Sequence, residues 1–241
     1  MSSLTCGRRK LTLLGKGMVG KSFSYGKGIT KKKPAVKAKV AKNPSGNVSK
    51  RMENCCKKVD KHYVDLATAA YNTDTTGTLT LIATIPTGAT QTTRVGKKVV
   101  LDSLQIRGRF IYGATPGTSL PKALLLIVYD RRPTGVLPAI TDVLAAVSSF
   151  AFNNDDNSNR FKIIRRIDRM LCASNVAGCT SDLLIEEFIR LNKYAEYKSL
   201  GTGAIADIEE GALYAITASD IAAGAAAGTL SVAYRTRFHE D

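Results

Sequence analysis

The segment Gly15–Ser22 has the residue types of a nucleotide-binding loop. It reads Gly-Lys-Gly-Met-Val-Gly-Lys-Ser, which matches the G-x-x-x-x-G-K-[ST] pattern whose backbone amides cradle phosphates and whose hydroxyl ligates magnesium. The pattern works only where a helix begins at its lysine. Here the chain runs on through Gly and Ser residues to Lys31–Pro34, which is poor helix-forming sequence, and no alternating strand–helix pattern follows. We therefore expect no nucleotide cofactor at this motif.

Basic residues give a stronger chemical signal than this motif. They recur as short clusters through the first 61 residues, a spacing that suits non-specific neutralisation of phosphates rather than reading of base edges. The predicted nucleic-acid-binding residues are Arg8, Arg9, Lys10, Lys16, Lys21, Lys31, Lys32, Lys33, Lys37, Lys39, Lys42, Lys50, Arg51, Lys57, Lys58 and Lys61. Lys31, Lys32, Lys33, Lys37 and Lys39 also have the pattern of a nuclear localisation signal. The same lysines can serve both roles.

The residue types of enzymes and metal sites are scarce. The two histidines, His62 and His239, are too few for the histidine-rich metal cluster of cupin enzymes. The five cysteines are odd in number and form no regular framework, which favours reduced thiols in an intracellular protein. Asp155 and Asp156 could offer oxygen ligands to calcium, but a solvated acidic loop is the simpler interpretation. We predict no catalytic residues, no metal site and no cofactor.

The net positive charge of the chain comes entirely from its first quarter. Residues 1–61 hold 17 Lys and Arg against two acids, Glu53 and Asp60, a net charge of +15 that equals the net charge of all 241 residues. Residues 62–241 hold 18 basic and 18 acidic residues. Charge blocks of this kind are most often interaction tails, and such a segment buries too little apolar surface to fold alone. The sequence therefore predicts a basic, disordered or extended arm over 1–61 and a globular domain over 62–241.

One alternative and one exclusion accompany this division. The arm could be a solubilising tail, although a polyanion partner explains its charge better. No apolar run in the chain approaches the length of a membrane span, so we expect no membrane partner.

From residue 62 onward the pattern is that of strands. Val99–Tyr112 alternates, which marks a half-buried strand. Its predicted buried face is Val100, Leu104, Ile106, Phe110 and Tyr112, and its polar face is Ser103, Gln105, Arg107 and Arg109. Ala123–Tyr129 is continuously apolar, which predicts a central strand. Further strands are predicted at His62–Ala70, Thr78–Ile85, Ala212–Thr217 and Thr229–Phe238.

Three segments have a less definite pattern. Phe161–Cys172 and Leu183–Leu191 fit both strand and helix spacing, so periodicity alone leaves them open. Thr141–Phe150 is predicted to be a short helix with Thr141 as its N-cap. Seven or eight short strands separated by long loops favour a sandwich or a jelly roll.

Several stretches after residue 94 resemble the capsid proteins of circular single-stranded DNA viruses that encode a replication initiator, near the geminivirus-like and circovirus-like groups. The most specific is Tyr129-Asp-Arg-Arg-Pro-Thr-Gly135, within the longer stretch Leu126–Gly135. The others are Arg94–Gly108, Pro138–Leu144, Asn159–Ile163, Gly201–Asp207, Gly211–Tyr214 and Leu230–Phe238. They all lie between residues 94 and 238, a region that makes up a little over half of the chain.

This resemblance implies an all-β fold, a single jelly roll of two packed antiparallel four-stranded sheets, with both ambiguous segments as strands. It also implies assembly of about sixty identical subunits with the basic arms inward. The packaged genome would be single-stranded DNA, although RNA remains an alternative because small RNA virus coats share the fold. The implied locations are the virion and, during infection, the host nucleus.

The sequence thus predicts a structural, non-enzymatic capsid protein that self-assembles and packages its genome through the arm. Arg107, Arg109, Arg235 and Arg237 could extend the basic inner surface, or could be neutralised by pairing with neighbours. The competing hypotheses are a nucleic-acid-binding protein that forms no shell and, less favoured, a P-loop nucleotidase.

Overall fold

The structure is a computed structural model that describes residues 61–113, 121–171, 182–224 and 228–241. Within these ranges the chain forms nine β-strands and one turn of α-helix, α1 (Ile140–Val143). The strands are β1 (His62–Thr73), β2 (Thr78–Leu81), β3 (Lys98–Ile111), β4 (Lys122–Asp130), β5 (Phe161–Met170), β6 (Asp182–Tyr197), β7 (Ile208–Glu210), β8 (Ala212–Ser219) and β9 (Gly228–Glu240). The predicted all-β fold is confirmed.

The strands form two antiparallel sheets whose pairing is nested along the sequence. One sheet has five strands in the order β1-β9-β3-β6-β7, and the other has four in the order β2-β8-β4-β5. Strand β1 pairs with β9, β2 with β8, β3 with β6, and β4 with β5, as in one long antiparallel ribbon wound around a core. This nesting is the jelly-roll topology, as predicted. The structure adds β7 to the expected four-plus-four arrangement, a strand of three residues beside β6 that is too short to show a periodic pattern.

Strand β3 confirms the predicted alternation over most of its length but reverses it near its start. Leu104, Ile106, Phe110 and Tyr112 are buried as predicted. Val100 is only partly buried, whereas Val99 and Leu101 have no exposed surface. The cause is a β-bulge between Leu101 and Ser103, where the pairing with both β6 and β9 shifts register. One extra residue moves every preceding side chain to the opposite face. The prediction that Val100 lies on the buried face was therefore wrong.

Strands β4 and β8 are buried on both faces. Every residue of Ala123–Asp130 and of Ala212–Ser219 is buried. The connection 131–160 helps to cover the four-stranded sheet: Ile140 and Val147 lie so close to Gly77 that a Cβ there would come within 2.8 Å of their side chains. Strands covered on both sides have continuous apolar sequences, which explains the correct prediction of β4 as a central strand.

The predicted helix over Thr141–Phe150 is wrong beyond its first turn. Helix α1 ends at Val143, and its N-cap is Ala139, whose N–H donates to the Asp142 carboxylate at 3.0 Å. The backbone becomes extended at Leu144, which is fully buried and forms a β-bridge with Asn153. Burial of Leu144 in the core outweighs the helical propensity of the alanines that follow it.

The segments left open by periodicity are strands β5 and β6, as the resemblance implied. Strand β6 extends to Tyr197 and carries its own irregularity, because Asn192 has a positive φ of 45° where the register with β3 shifts. Strand β2 is shorter than predicted and ends at Leu81. The next residues leave the sheet but stay apolar and buried, since Ile82, Ala83 and Ile85 are all core residues.

One arginine is part of the core. Arg94, in the connection between β2 and β3, has no exposed surface and donates to the carbonyls of Gly96 and Lys198, both at 2.8 Å. Its guanidinium lies 4.5 Å from the ring centroid of Tyr197. Burial lowers the pKa of Arg94, against the raising effect of the Tyr197 hydroxyl. The side chain therefore fastens this long connection to the end of β6.

Candidate nucleic-acid interface

Most of the predicted nucleic-acid-binding residues lie outside the described residues. Lys61 is the one that falls within them, and its side chain is exposed immediately before β1. The others, from Arg8 to Lys58, lie outside, as do the lysines of the predicted localisation signal and the Gly15–Ser22 motif. Their roles stay predictions.

The outward face of the five-stranded sheet carries the arginines that were expected either to extend a basic surface or to pair. Arg235 on β9 lies directly opposite Asp65 on β1 and donates two hydrogen bonds to its carboxylate, of 2.7 and 2.6 Å. The hydrogen bond from Arg235 lowers the pKa of Asp65, and the same bond raises the pKa of Arg235. The Arg235 guanidinium also lies 4.8 Å from the ring centroid of Tyr63. Pairing therefore neutralises this arginine.

Of the other three arginines, one is paired with an acidic residue and two are not. Arg109 donates to Asp182 at 3.0 Å. Arg107 and Arg237 have no carboxylate oxygen within 4.0 Å among the described residues. Gln105 lies between them, and its amide oxygen accepts from Arg237 at 3.4 Å or, after the amide is turned over, from Arg107 at 3.2 Å. Two of the four cations thus remain free to meet an external anion.

A shallow hollow makes Arg107 accessible. Its volume is about 450 Å³, and small side chains line it where the register between β1 and β9 shifts, among them Ala67, Thr68 and Ala233. A bulge leaves room of this kind because two residues on one strand face one on the other. The hollow gives an approaching chain access to the Arg107 guanidinium from solvent.

Two of the segments that carry the resemblance meet at a buried ion pair. Asp130, at the end of β4, has no exposed surface. Its carboxylate accepts from Arg160 Nε at 3.0 Å, from Arg160 Nη2 at 2.9 Å and from the Arg132 backbone N–H at 3.0 Å. The hydrogen bond with Asp130 raises the pKa of Arg160, whose guanidinium also lies 4.6 Å from the Phe161 ring centroid. The most specific motif of the resemblance therefore acts structurally at Asp130.

The residues considered for chemistry have ordinary structural surroundings. The ring of His62 stacks on Phe238 at 5.4 Å, and His239 Nδ1 lies 2.9 Å from an oxygen of Asp102. Asp155 and Asp156 are exposed in a single 3₁₀ turn. Across the described ranges, no group of three or more His, Cys, Asp and Glu is arranged to hold a metal ion. All five cysteines lie outside those ranges.

Within the same part of the chain, none of the helices is long and apolar enough to cross a membrane.

Nested antiparallel strands in two packed sheets define a jelly-roll protein, a class that includes viral capsid domains. A comparison with protein families narrows the class, because the geminivirus coat protein/nuclear export factor BR1 family matches residues 8–241. The chain belongs to that family. Membership of this family supports the prediction of a structural coat protein of the virion.

Comparisons with individual proteins add little to this assignment. Structures of infectious bursal disease virus match weakly: the Gx strain is 10% identical over 75% of this chain and 32% of that chain, with a TM-score of 0.23. The VP2 subviral particle is 10% identical over 75% and 37%, with a TM-score of 0.22. The chain thus spans about a third of the length of these proteins. None of the curated proteins compared with it matches. The fold assignment rests on strand order and pairing.

Proposed function

We propose that this coat protein self-assembles into a small icosahedral shell of about sixty copies and packages its genome through the basic arm, residues 1–61. The observation that carries the proposal is the charge distribution, with a net +15 in the arm and an equal number of acidic and basic residues in 62–241. A cationic arm binds a polyanion because it releases the counterions condensed on the phosphates. Sixty arms carry about 900 positive charges, enough for a substantial fraction of the phosphates of a small genome.

The balanced charge of the jelly-roll domain supports the assembly half of the proposal. Subunit faces of one net sign would repel one another across every contact of a shell. On the outward face of the five-stranded sheet, Asp65 neutralises Arg235 and Asp182 neutralises Arg109. Such a surface can pack against identical copies while the arm remains available for the genome.

The genome we propose is single-stranded DNA, and the lysines of residues 31–39 would also direct the protein to the host nucleus. Family membership supports both proposals, and the cluster Lys31–Lys33 with Lys37 and Lys39 supports the second. Digestion of purified particles with DNase or with RNase after disruption identifies the nucleic acid. Fusion of residues 1–61 to a fluorescent protein tests nuclear import, with a variant carrying glutamine at the five lysines as the control.

Removal of the arm's charge tests packaging directly. Deletion of residues 1–50 should leave soluble β-rich protein whose particles contain far less nucleic acid, measured by absorbance at 260 and 280 nm. A matched variant that keeps the arm's length, with every Lys and Arg of 1–50 changed to Gln, should lose packaging to the same extent. Wild-type nucleic-acid content in both variants would refute the role of the arm.

A second candidate function is a nucleic-acid-binding protein that forms no shell. One observation favours this candidate: the family to which the chain belongs includes a nuclear export factor as well as coat proteins. Negative-stain electron microscopy and size-exclusion chromatography separate the two. Closed particles support the coat function, and monomers or dimers that bind nucleic acid support the alternative.

A further inference from the structure

Three cationic side chains meet where the edge of the four-stranded sheet approaches β6. Lys162, on β5, lies directly opposite Tyr129 on β4 in the strand register. Lys193, on β6, places its ammonium 5.8 Å from the ring centroid of Tyr129. Arg131 follows β4 by one residue, and its guanidinium donates to the Asn159 carbonyl at 3.2 Å, beside the start of β5. Two strands, β5 and β6, and the residue that follows β4 thus contribute to one cluster, Arg131–Lys162–Lys193.

No acid of the jelly-roll domain neutralises this cluster. All charged residues of 62–241 are described, and none of their carboxylate oxygens lies within 4.0 Å of any of these three cations. Asp130 directly follows Tyr129 in sequence, but its carboxylate is already hydrogen-bonded to the guanidinium of Arg160. By contrast, two other cations of β5, Arg165 and Arg166, each form an ion pair with a carboxylate.

The arrangement is unfavourable for the protein on its own. Desolvation by burial lowers the pKa of Lys193, and the positive charges of Lys162 and Arg131 and the contact with the Lys162 side chain lower it further. Like charges held together destabilise each other unless a counter-charge lies between them. A fold that brings three cations together without pairing any of them to an internal acid has a ready place for an anion.

We propose that Arg131, Lys162 and Lys193 form a phosphate-binding site on the jelly-roll domain. A phosphate group offers several strong acceptor oxygens, which a planar guanidinium and two ammonium groups on different strands can approach from different sides. The group would come either from the backbone of a nucleic acid or from free phosphate. Where it is a genome phosphate, the site rests on the proposed packaging function and adds a contact from the shell domain to those of the arm.

The first test is thermal denaturation of the full chain in chloride and in phosphate buffers of equal ionic strength. Inorganic phosphate at tenfold excess over its Kd should raise the wild-type Tm by about 4 °C. Lys193→Met keeps an unbranched side chain of similar length beside Tyr129 but removes a charge. It should melt at or above the wild-type temperature in chloride and lose the phosphate-dependent rise. Lys97→Met, at an exposed position on the connection before β3, should keep the full rise.

The sign in chloride separates anion binding from a structural role. A lysine that stabilised the fold by itself would lower the Tm when replaced, whether or not phosphate was present. A phosphate effect equal in wild type, Lys162→Met and Lys193→Met would overturn the site, as would a wild type that phosphate does not stabilise. The arm is the same in all these proteins, so its contribution cancels from the comparison.

The second test identifies the source of the phosphate. Binding of a short single-stranded oligonucleotide is measured as a function of salt, and loss of one phosphate contact reduces the slope of log K against log salt by about 0.7. That reduction in Lys193→Met but not in Lys97→Met assigns the site to the strand. An unchanged slope with a lost thermal effect assigns it to free phosphate. Failure of arm-dependent packaging would alter neither thermal result.

Discussion

The ion pair between Asp130 and Arg160 should respond unequally when it is broken from its two sides. Asp130 has no exposed side-chain surface, whereas 26% of the Arg160 side chain is exposed. An arginine left alone there can turn toward water. A carboxylate left alone cannot, because the strands on either side, β5 and β8, cover it. The loss of stability should therefore be greater when the arginine is removed.

The structure gives the size of this asymmetry. Arg160→Gln strands a buried carboxylate that has lost its three guanidinium contacts of 2.9 to 3.3 Å, and breaking a buried pair in this way costs about 3–5 kcal/mol. Asp130→Asn keeps an oxygen acceptor for the Arg132 N–H, so about 1.5–3 kcal/mol is expected, the worth of hydrogen bonds to a charged group. The double variant should be more stable than Arg160→Gln alone, since it leaves no buried charge.

Urea denaturation of unassembled subunits at pH 7 measures these differences, with equal m-values required before the free energies are compared. Arg165→Gln serves as the control, because Arg165 forms an exposed pair with Glu187 and should lose less than about 1 kcal/mol. The reasoning is refuted if Asp130→Asn costs as much as Arg160→Gln. It is refuted equally if the losses of the two single variants simply add in the double variant.

Three further changes test other parts of the domain. Gly203 has a φ of +80°, and a Cβ there would lie 2.5 Å from the backbone of Ile85, so Gly203→Ala should cost at least about 2 kcal/mol in urea denaturation. Asp207→Ala removes the acceptor of the N–H groups of residues 202–204 and should make that loop sensitive to limited proteolysis, whereas Asp207→Asn should have the smaller effect. The pKa of Asp65 is lowered from its ordinary value of 3.8, chiefly by the hydrogen bond from Arg235, so this pair stabilises the protein above that pH and ceases to do so as pH falls through the lowered pKa. Asp65→Asn should therefore lower the Tm slightly at pH 7, because so exposed a pair contributes little stability, and its difference from the wild type should shrink as the pH falls below 3.8.

The parts of the fold that sequence could predict are those that depend on neighbours in the chain. The run of apolar residues in Ala123–Tyr129 requires burial on both faces, and β4 has it. The alternation from Leu104 to Tyr112 is likewise local. The inversion at Val100 is not, because the bulge exists only relative to β6 and β9, which lie far along the sequence. Helix α1 stops early for the same reason, since Leu144 is buried by residues that local propensity does not include.

The candidate interface divides along the same line. Strand periodicity predicts correctly that Arg107 and Arg109 share a face, because that is a property of one strand. Whether a cation on that face is neutralised depends on pairing across strands, such as that of Arg235 with Asp65, 170 positions away. The cluster Arg131–Lys162–Lys193 was missed although Arg131 and Lys162 both lie in segments that carry the family resemblance. Only the approach of β6 to β4 and β5 makes three scattered cations one site.

Competition between internal and external anions explains why the arm, rather than the sheet, is the principal candidate for genome binding. A phosphate that approaches Arg235 must displace a carboxylate held by two short hydrogen bonds, so little net interaction remains to be gained. In the arm, 17 cations face two acids, and nearly every contact with a phosphate is a new one. The same argument ranks the cations of the jelly-roll domain. Arg107, Arg237 and the cluster Arg131–Lys162–Lys193 should contribute to the salt dependence of nucleic-acid binding, whereas Arg109, Arg165 and Arg235 should contribute little.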